Sequence, residues 1–383
     1  MADHDDELEE LGRTGGLTRR EVVRRGLGSF VVLYSGALPK TAVAGVPKFR
    51  HRELKNSLRI MQWSHFVPAY DTWFDNVYTK KWHGFPENFV PDPVHYRKDL
   101  FAQVGVKSPN TWHDVLVAAP KLKAIGHPVG IGMSNELDSN MALIALLQCF
   151  GGFIQDANAR VTINSKGTRD ALKFMQSLFK TGMTNEVFAW TAASNNQGFL
   201  SGRLALAMNA ISIARSAEDQ NPDLAKKTAL LPIPKGPDRR LGLEHVMGVY
   251  TIWKFTSKPQ QKLAKRFIAD LEMGYASAFK NSKYYNFPAF PKAVFEYRKR
   301  LGADPHQPKG KYRILDTIAR KYTVNVGFPG YSNAAVDEIF NTYLIPQMFA
   351  AVAQGKSTPA EAAKAAEQQM KKIFAKWRRL KKI

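Results

Sequence analysis

The chain has 383 residues, 44% of them hydrophobic and 11% aromatic, with 55 Lys and Arg against 33 Asp and Glu for a formal charge of +22. That length allows two domains of about 100–200 residues each, and the apolar content excludes a wholly disordered chain. The single cysteine excludes an intramolecular disulfide, and past the N-terminus no run approaches the roughly 20 apolar residues that span a bilayer.

The first segment reads as an export signal. An acidic leader, Asp3 to Glu10, precedes Leu17-Thr18-Arg19-Arg20-Glu21-Val22-Val23, an apolar run from Gly26 to Leu38, and Ala42-Val43-Ala44. A basic region, a short apolar core and an A-x-A site form a signal peptide, and the paired arginines give it the twin-arginine pattern. The expected signal is 1–44, with a polar tether over 45–57. The first 44 residues hold 6 basic and 7 acidic side chains, so the remainder carries +23. Such a charge favours anionic partners. Its lysines are scattered, however, apart from the run Lys376 to Lys382, and no basic-aromatic interleaving appears, so a basic solvated surface and no nucleic acid are expected.

Leu58 to Trp63 alternates as a first strand, and Ala69 to Lys81 carries Tyr70, Trp73, Phe74 and Val77 at helical spacing. Pro86, Pro91 and Pro93 then stiffen the chain. Because proline fixes φ and extends its predecessor, Phe89 to Tyr96 reads as an extended crossing between two packed bodies. A short helix, Lys98 to Val104, stops at Gly105, and Thr111 with Asp114 forms a near capping box for a helix to about Ile125. Val129 to Met133 is a strand, Ser139 to Phe150 a helix holding a buried Cys149, and Ala171 to Thr181 another helix. Gly198 to Met208 is a helix end, a glycine turn and a strand; Leu230 to Pro237 is an extended exit. Met247 to Trp253 is a strand, with helices over Pro259 to Met273, Asp316 to Tyr322, Ser332 to Tyr343 and Thr358 to Lys376. Strands alternating with helices argue for an α/β fold. Trp73, Trp112 and Trp253, within regular elements, are expected in the core.

The order of these elements resembles the extracellular solute-binding proteins of ABC importers, in the sugar-binding group of the maltose-binding type. The resemblance rests on Tyr96-Arg97-Lys98-Asp99-Leu100-Phe101, Gly105, Pro109-x-Thr111-Trp112-x-Asp114, Phe199-x-Ser201-Gly202-Arg203-x-Ala205-x-Ala207-Met208, Pro232-x-Pro234, and Gly355-Lys356-x-Thr358-Pro359-x-Glu361-Ala362. It covers roughly 58–375 and implies a two-lobed periplasmic-binding-protein-like fold of type II, hinged at the crossings. Lobe one would take 58–96 and 241–295, and lobe two 97–240 and 296–383. Where this family places several strand–helix units before the crossing, only one separates Leu58 from Phe85. A βαβ unit needs about 30 or more residues, so a deletion in lobe one is expected, with a thin sheet and exposed edges.

A carbohydrate site needs aromatic platforms flanked by fixed donors and acceptors at strand ends. The candidates are Trp63, His65 and Phe66 after the first strand, and Asn135 and Asp138, with Glu136, after Met133. Trp190 with Asn195 and Asn196, and Asn209 with Ser212, come next. Glu244 with His245, Tyr284 with Tyr285, and Phe328 with Tyr331, where the resemblance places a stacking platform, complete the set. The reading is a non-enzymatic binder of a carbohydrate or related solute, without cofactor or metal, in the periplasm or cell envelope, serving ABC permease subunits after twin-arginine export. An exported glycan-active enzyme is the alternative, with Glu136 and Asp138 as its acids, although no second carboxylate cluster stands out. A remnant that binds nothing is the third. The nine histidines show no H-x-x-x-H, and no C-x-x-C, G-x-G-x-x-G or G-x-S-x-G occurs.

Overall fold

The structure, a computed structural model, describes residues 84–383. The expected signal, tether, first strand and first helix, with Trp73, therefore lie outside the described residues.

Strand β1 (Phe85–Pro91) and strand β2 (Val94–Arg97) are separated only by Asp92 and Pro93, yet they belong to different sheets. This is the proline-lined crossing read from the sequence. Beyond it, α1 (Lys98–Gln103) gives way to Gly105 at φ +81°, the left-handed turn that glycine adopts at no steric cost. Helix α2 (Trp112–Ala124) starts on a complete capping box: Thr111 Oγ1 accepts the Asp114 N–H, and the Asp114 carboxylate accepts the Thr111 N–H at 2.8 Å. Strand β3 (Val129–Gly130), α3 (Leu137–Cys149), α4 (Lys166–Gly182), α5 (Ser194–Leu200) and β4 (Leu206–Met208) follow, then α6 (Ser212–Gln220), α7 (Pro222–Lys227) and β5 (Thr228–Leu231). These strands form one sheet in the order β3-β4-β2-β5, in which β2 runs antiparallel to both neighbours and β3 parallel to β4.

The chain returns through β6 (Gly242–Tyr250), α8 (Lys258–Met273), α9 (Tyr275–Asn281), β7 (Phe287–Pro288), α10 (Tyr297–Gly302) and α11 (Ile314–Thr317), which widens into a π turn over Ile318–Tyr322 before β8 (Thr323–Val324). The second sheet runs β7-β1-β6-β8; β7 and β8 contribute two residues each. Helices α12 (Ala334–Asn341), α13 (Leu344–Ala353) and α14 (Pro359–Arg379) end the chain, α13 and α14 against α4 and α12 against α14.

Two hydrophobic cores match the two sheets. The larger gathers Phe101, Trp112, Leu143 to Leu147, Leu172, Met175, Phe349, Met370 and Phe374, and holds the buried Cys149. The smaller joins Tyr275, Phe279, Phe287, Leu301, Tyr312, Leu315 and Ile318 to Ile211, Ala214 and Leu230 from the β3-β4-β2-β5 side. Each such side chain, fully buried, contributes about 1.5–3 kcal/mol. One expectation is corrected. Trp253 is 61% exposed, because β6 ends at Tyr250 and leaves it in the following turn, stacked on Phe255 at 5.8 Å.

Candidate functional site

The crossing reaches the β3-β4-β2-β5 sheet beside the end of β4, where Val94 pairs with Met208. The end of β3 leads through Ser134 into α3, whose N-cap is Glu136; that carboxylate accepts the backbone N–H groups of Asp138 at 2.7 Å and of Ser139. Burial and the neighbouring Asp138 carboxylate push the Glu136 pKa up. The buried Asp138 accepts from Asn195 Nδ2 at 2.6 Å, and the same amide donates to the Met208 carbonyl at 3.3 Å, at the end of β4. Asn209 Nδ2 donates to Asn196 Oδ1 at 2.7 Å, and Asn196 Nδ2 to Ser212 Oγ at 3.3 Å. A polar chain, buried at Asp138, Asn195 and Asn209 and half-buried at Asn196 and Ser212, thus ties the ends of β3 and β4 to α5, at the strand ends where open α/β sheets take ligands.

Trp190 borders this chain. Its carbonyl accepts from Ser134 Oγ at 2.7 Å. Its ring carbon Cε3 and Glu136 Oε1 lie 3.1 and 3.0 Å from where a side chain on Gly132 would begin, so glycine is required there. The indole is only 9% exposed, and its Nε1 finds no hydrogen-bond partner.

The crossing supplies the floor. Asp92 is buried between Pro91 and Pro93, and Glu244 of β6 stands opposite Pro91 in the ladder. Burial pushes the Glu244 carboxyl up to about 7. From the other body comes Tyr285, just before β7; burial raises its pKa first, then the charges of Asp92 and Asp138.

The structure gathers some of the sequence candidates and separates others. Asp138, Asn209 and Trp190 converge at the strand ends, with Glu244 beside the crossing. Asn135 is exposed and meets Gln347 of α13 at 3.4 Å. Tyr284 packs on Phe279 at 5.0 Å and faces Arg215 at 5.6 Å, covering the end of α9. Phe328 lies 6.1 Å from Phe153, and the Tyr331 carbonyl accepts from Gln155 Nε2 at 2.8 Å, in a loop that Gln155 and Asn333 hold together. Trp63, His65 and Phe66 lie outside the described residues, as does the side chain of His245. Asp92 was missed by the sequence reading, although a carboxylate between two hinge prolines marks it.

Among the described residues, the grouping with metal-ligand geometry is Glu218, Asp304 and His306. Its carboxylates are already engaged: Arg215 reaches Glu218 at 2.8 Å and Asp304 at 2.9 Å, and Lys311 reaches Glu218 at 2.5 Å. These cations stand where a metal would need to sit. A separate groove of about 680 Å³, lined by Gly84, Phe85, Tyr250, Ile252 and Ile268 among others, shares no residue with the strand-end polar chain.

Comparisons place these features among known proteins. The family model described as bacterial extracellular solute-binding protein matches residues 58–271. Proteins named as binding proteins from Brucella abortus (strain 2308) and Brucella suis biovar 1 (strain 1330) are 25% identical over 166 residues, 42% of this chain. The match spans 40% of the length of those relatives. Among solved structures, maltose-bound MalE3 of T. maritima aligns with a TM-score of 0.62 at 22% identity, over 75% of this chain and 72% of that one. A sugar transporter from Arthrobacter chlorophenolicus A6 with bound laminaribiose gives 0.63 at 18%, over 77% and 72%. A solute-binding protein from Agrobacterium radiobacter K84 in complex with ribitol gives 0.62 at 18%, over 76% and 72%. At these identities the likeness shows the fold, two α/β lobes of the periplasmic-binding-protein type.

Proposed function

Because this chain belongs to the bacterial extracellular solute-binding proteins, we propose that it is the substrate-binding component of an ABC importer, holding a carbohydrate or polyol between its lobes. The observation that carries the reading is the crossing itself. Two interior strands of different sheets join through Pro91-Asp92-Pro93, and Asp138 of α3 meets Asn195 of α5 at the end of β4, where Met208 pairs with Val94 beside the crossing. The sugar and polyol ligands of the similar structures support the same solute class.

We divide the lobes at 84–91 and 242–324 against 92–241 and 325–383. The division read from sequence at residue 295 moves to 324 in this reading, because Leu301, Tyr312, Leu315 and Ile318 pack with Tyr275, Phe279 and Phe287, and β8 pairs with β6. Solute bridging both lobes binds only the closed form, so binding shifts the population toward closure, and permease subunits recognise that form. Arg19-Arg20 and Ala42-x-Ala44 support twin-arginine export to the periplasm or cell envelope. The chain is a binder rather than an enzyme in this reading, since Glu136 spends its carboxylate on the α3 cap.

Isothermal titration of the full chain against neutral mono- and disaccharides and polyols tests the proposal. Saturable heat is expected with at least one of them. Asn209→Ala then weakens it about tenfold, as loss of a buried hydrogen bond to a polar ligand does. Absence of heat across the panel on a folded sample overturns the reading.

A further inference from the structure

We propose that the segment Ala69 to Lys81 of this chain docks as a helix in the groove between β1, β6 and α8, closing the lobe that carries them. The inference goes beyond the solute-binding reading and does not rest on it.

The groove of about 680 Å³ has a mixed lining. Phe85, Tyr250, Ile252 and Ile268 make its apolar part, and Phe290, 38% exposed, packs on Phe85 at 5.3 Å. From α8, Lys258, Gln261, Lys265 and Ile268 line it at i, i+3, i+7 and i+10, which is one face of a helix. With Lys254, three exposed lysines line the same groove. Arg266 of α8 reaches Asp270 at 3.9 Å, whereas Lys254, Lys258 and Lys265 pair with no carboxylate among the described residues. An occupant must therefore bring apolar side chains and negative charge together.

Two features of the chain name that occupant. The first is reach. Residues 1–83 lie outside the described residues and join them at Gly84, which itself lines the groove. Lys81 stands three residues before Gly84, and three extended residues span at most about 11 Å. The backbone thus holds the end of the segment beside the groove. The second is complementarity. Tyr70, Trp73, Phe74 and Val77 fall at i, i+3, i+4 and i+7, an apolar helical stripe. The charged residues between Tyr70 and Val77 are Asp71 and Asp75, one turn apart and opposite in sign to the groove lysines. The 13 residues of the segment make a helix about 20 Å long, which the 16 residues of α8 can flank. A helix of that length is marginal alone in water, so both surfaces gain by the contact.

Ala269, exposed in the groove lining, gives the readout. In the full chain, Ala269→Cys is labelled with a small maleimide at neutral pH, with Lys372→Cys, exposed in α14, as the reference; the native Cys149 is buried. The groove thiol is expected to react about tenfold or more slowly than the reference, and Trp73→Asp with Phe74→Asp to restore the reference rate. Asp71→Lys with Asp75→Lys should speed labelling as well, and adding Lys258→Glu with Lys265→Glu should slow it again. That comparison stays readable if the first pair of substitutions prevents folding. Labelling of Ala269→Cys as fast as the reference, or protection that neither pair relieves, overturns the inference. So does a bismaleimide link from Val77→Cys to Ala269→Cys that forms between two copies and not within one, since the occupant is then a second chain.

Discussion

His95 shows what a single buried side chain imposes. It lies in β2 between Ala207 and Leu230, fully buried, with neither ring nitrogen hydrogen-bonded and the ring 6.2 Å from Phe199. Burial, helped by the charge of Lys311, lowers its pKa to about 3. The folded chain therefore holds His95 neutral, whereas the unfolded chain protonates it near pH 6.5. Its contribution is complete above about pH 6.5 and is lost as pH falls toward 3, by up to about 1.4 kcal/mol per unit. The raised carboxyls of Glu136 and Glu244 act with the opposite sign, so the readout is a difference between variants. Going from pH 7.5 to 5, wild type should lose about 2 kcal/mol relative to His95→Leu in urea denaturation. Parallel pH profiles for the two proteins would refute this. At this scale the sequence was partly legible. Strand-end polar residues such as Asp138 and Asn209 could be named from their position, while Trp253 was misplaced because β-prone residues continue three positions past Tyr250, where the ladder ends. Tyr284 packs on Phe279 and Arg215 from a backbone at φ 66°, a property no side-chain pattern announces.

Elements with chemical start signals were the most legible. The capping boxes at Thr111 and Thr358 are complete, and their helices run close to the expected spans. Thr358→Ala should cost about 1 kcal/mol. Helices without such signals were missed: α6 begins after Ile211 with no side-chain cap, and α13 is entered through Tyr343 at φ +55° with none either. Its apolar run, Leu344 to Ala353, carries no amphipathic contrast to reveal it. Close helix contact is likewise invisible in the chain until it is folded. A side chain on Gly182 would begin 2.2 Å from Ala119 Cβ, backed by the Ala119 backbone at 3.0 Å, so α4 touches α2 with no room for a methyl group. Gly182→Ala should destabilise by about 1–3 kcal/mol through overpacking, read as a lowered urea midpoint with an unchanged slope. A midpoint within error of wild type would mean the two helices part at no cost.

Across the whole molecule, the β3-β4-β2-β5 body and the segment before β8 are bolted together by charge. Arg215 of α6 reaches Asp304 at 2.9 Å, lies over the Tyr312 ring at 3.8 Å and donates to the Lys283 carbonyl at 2.8 Å; the Arg215 and Asp304 side chains are 8% and 6% exposed. Breaking such a pair strands a buried charge, so Asp304→Ala should cost about 3–5 kcal/mol in chemical denaturation, and Asp304→Asn less. Equal midpoints for Asp304→Ala and wild type would show the pair to be screened by water. The two-body plan was legible because prolines constrain φ wherever they stand; the bolt was not, because Arg215 and Asp304 are 89 residues apart and only the fold brings them together. The strap between β1 and β2 has a mechanical consequence. Each of its ends is an interior strand of its own sheet, so a pull on the strap is carried by its covalent backbone into the ladders on both sides of β1 and of β2. With only Asp92 and Pro93 between the strands, the strap has almost no slack to release before those ladders are strained.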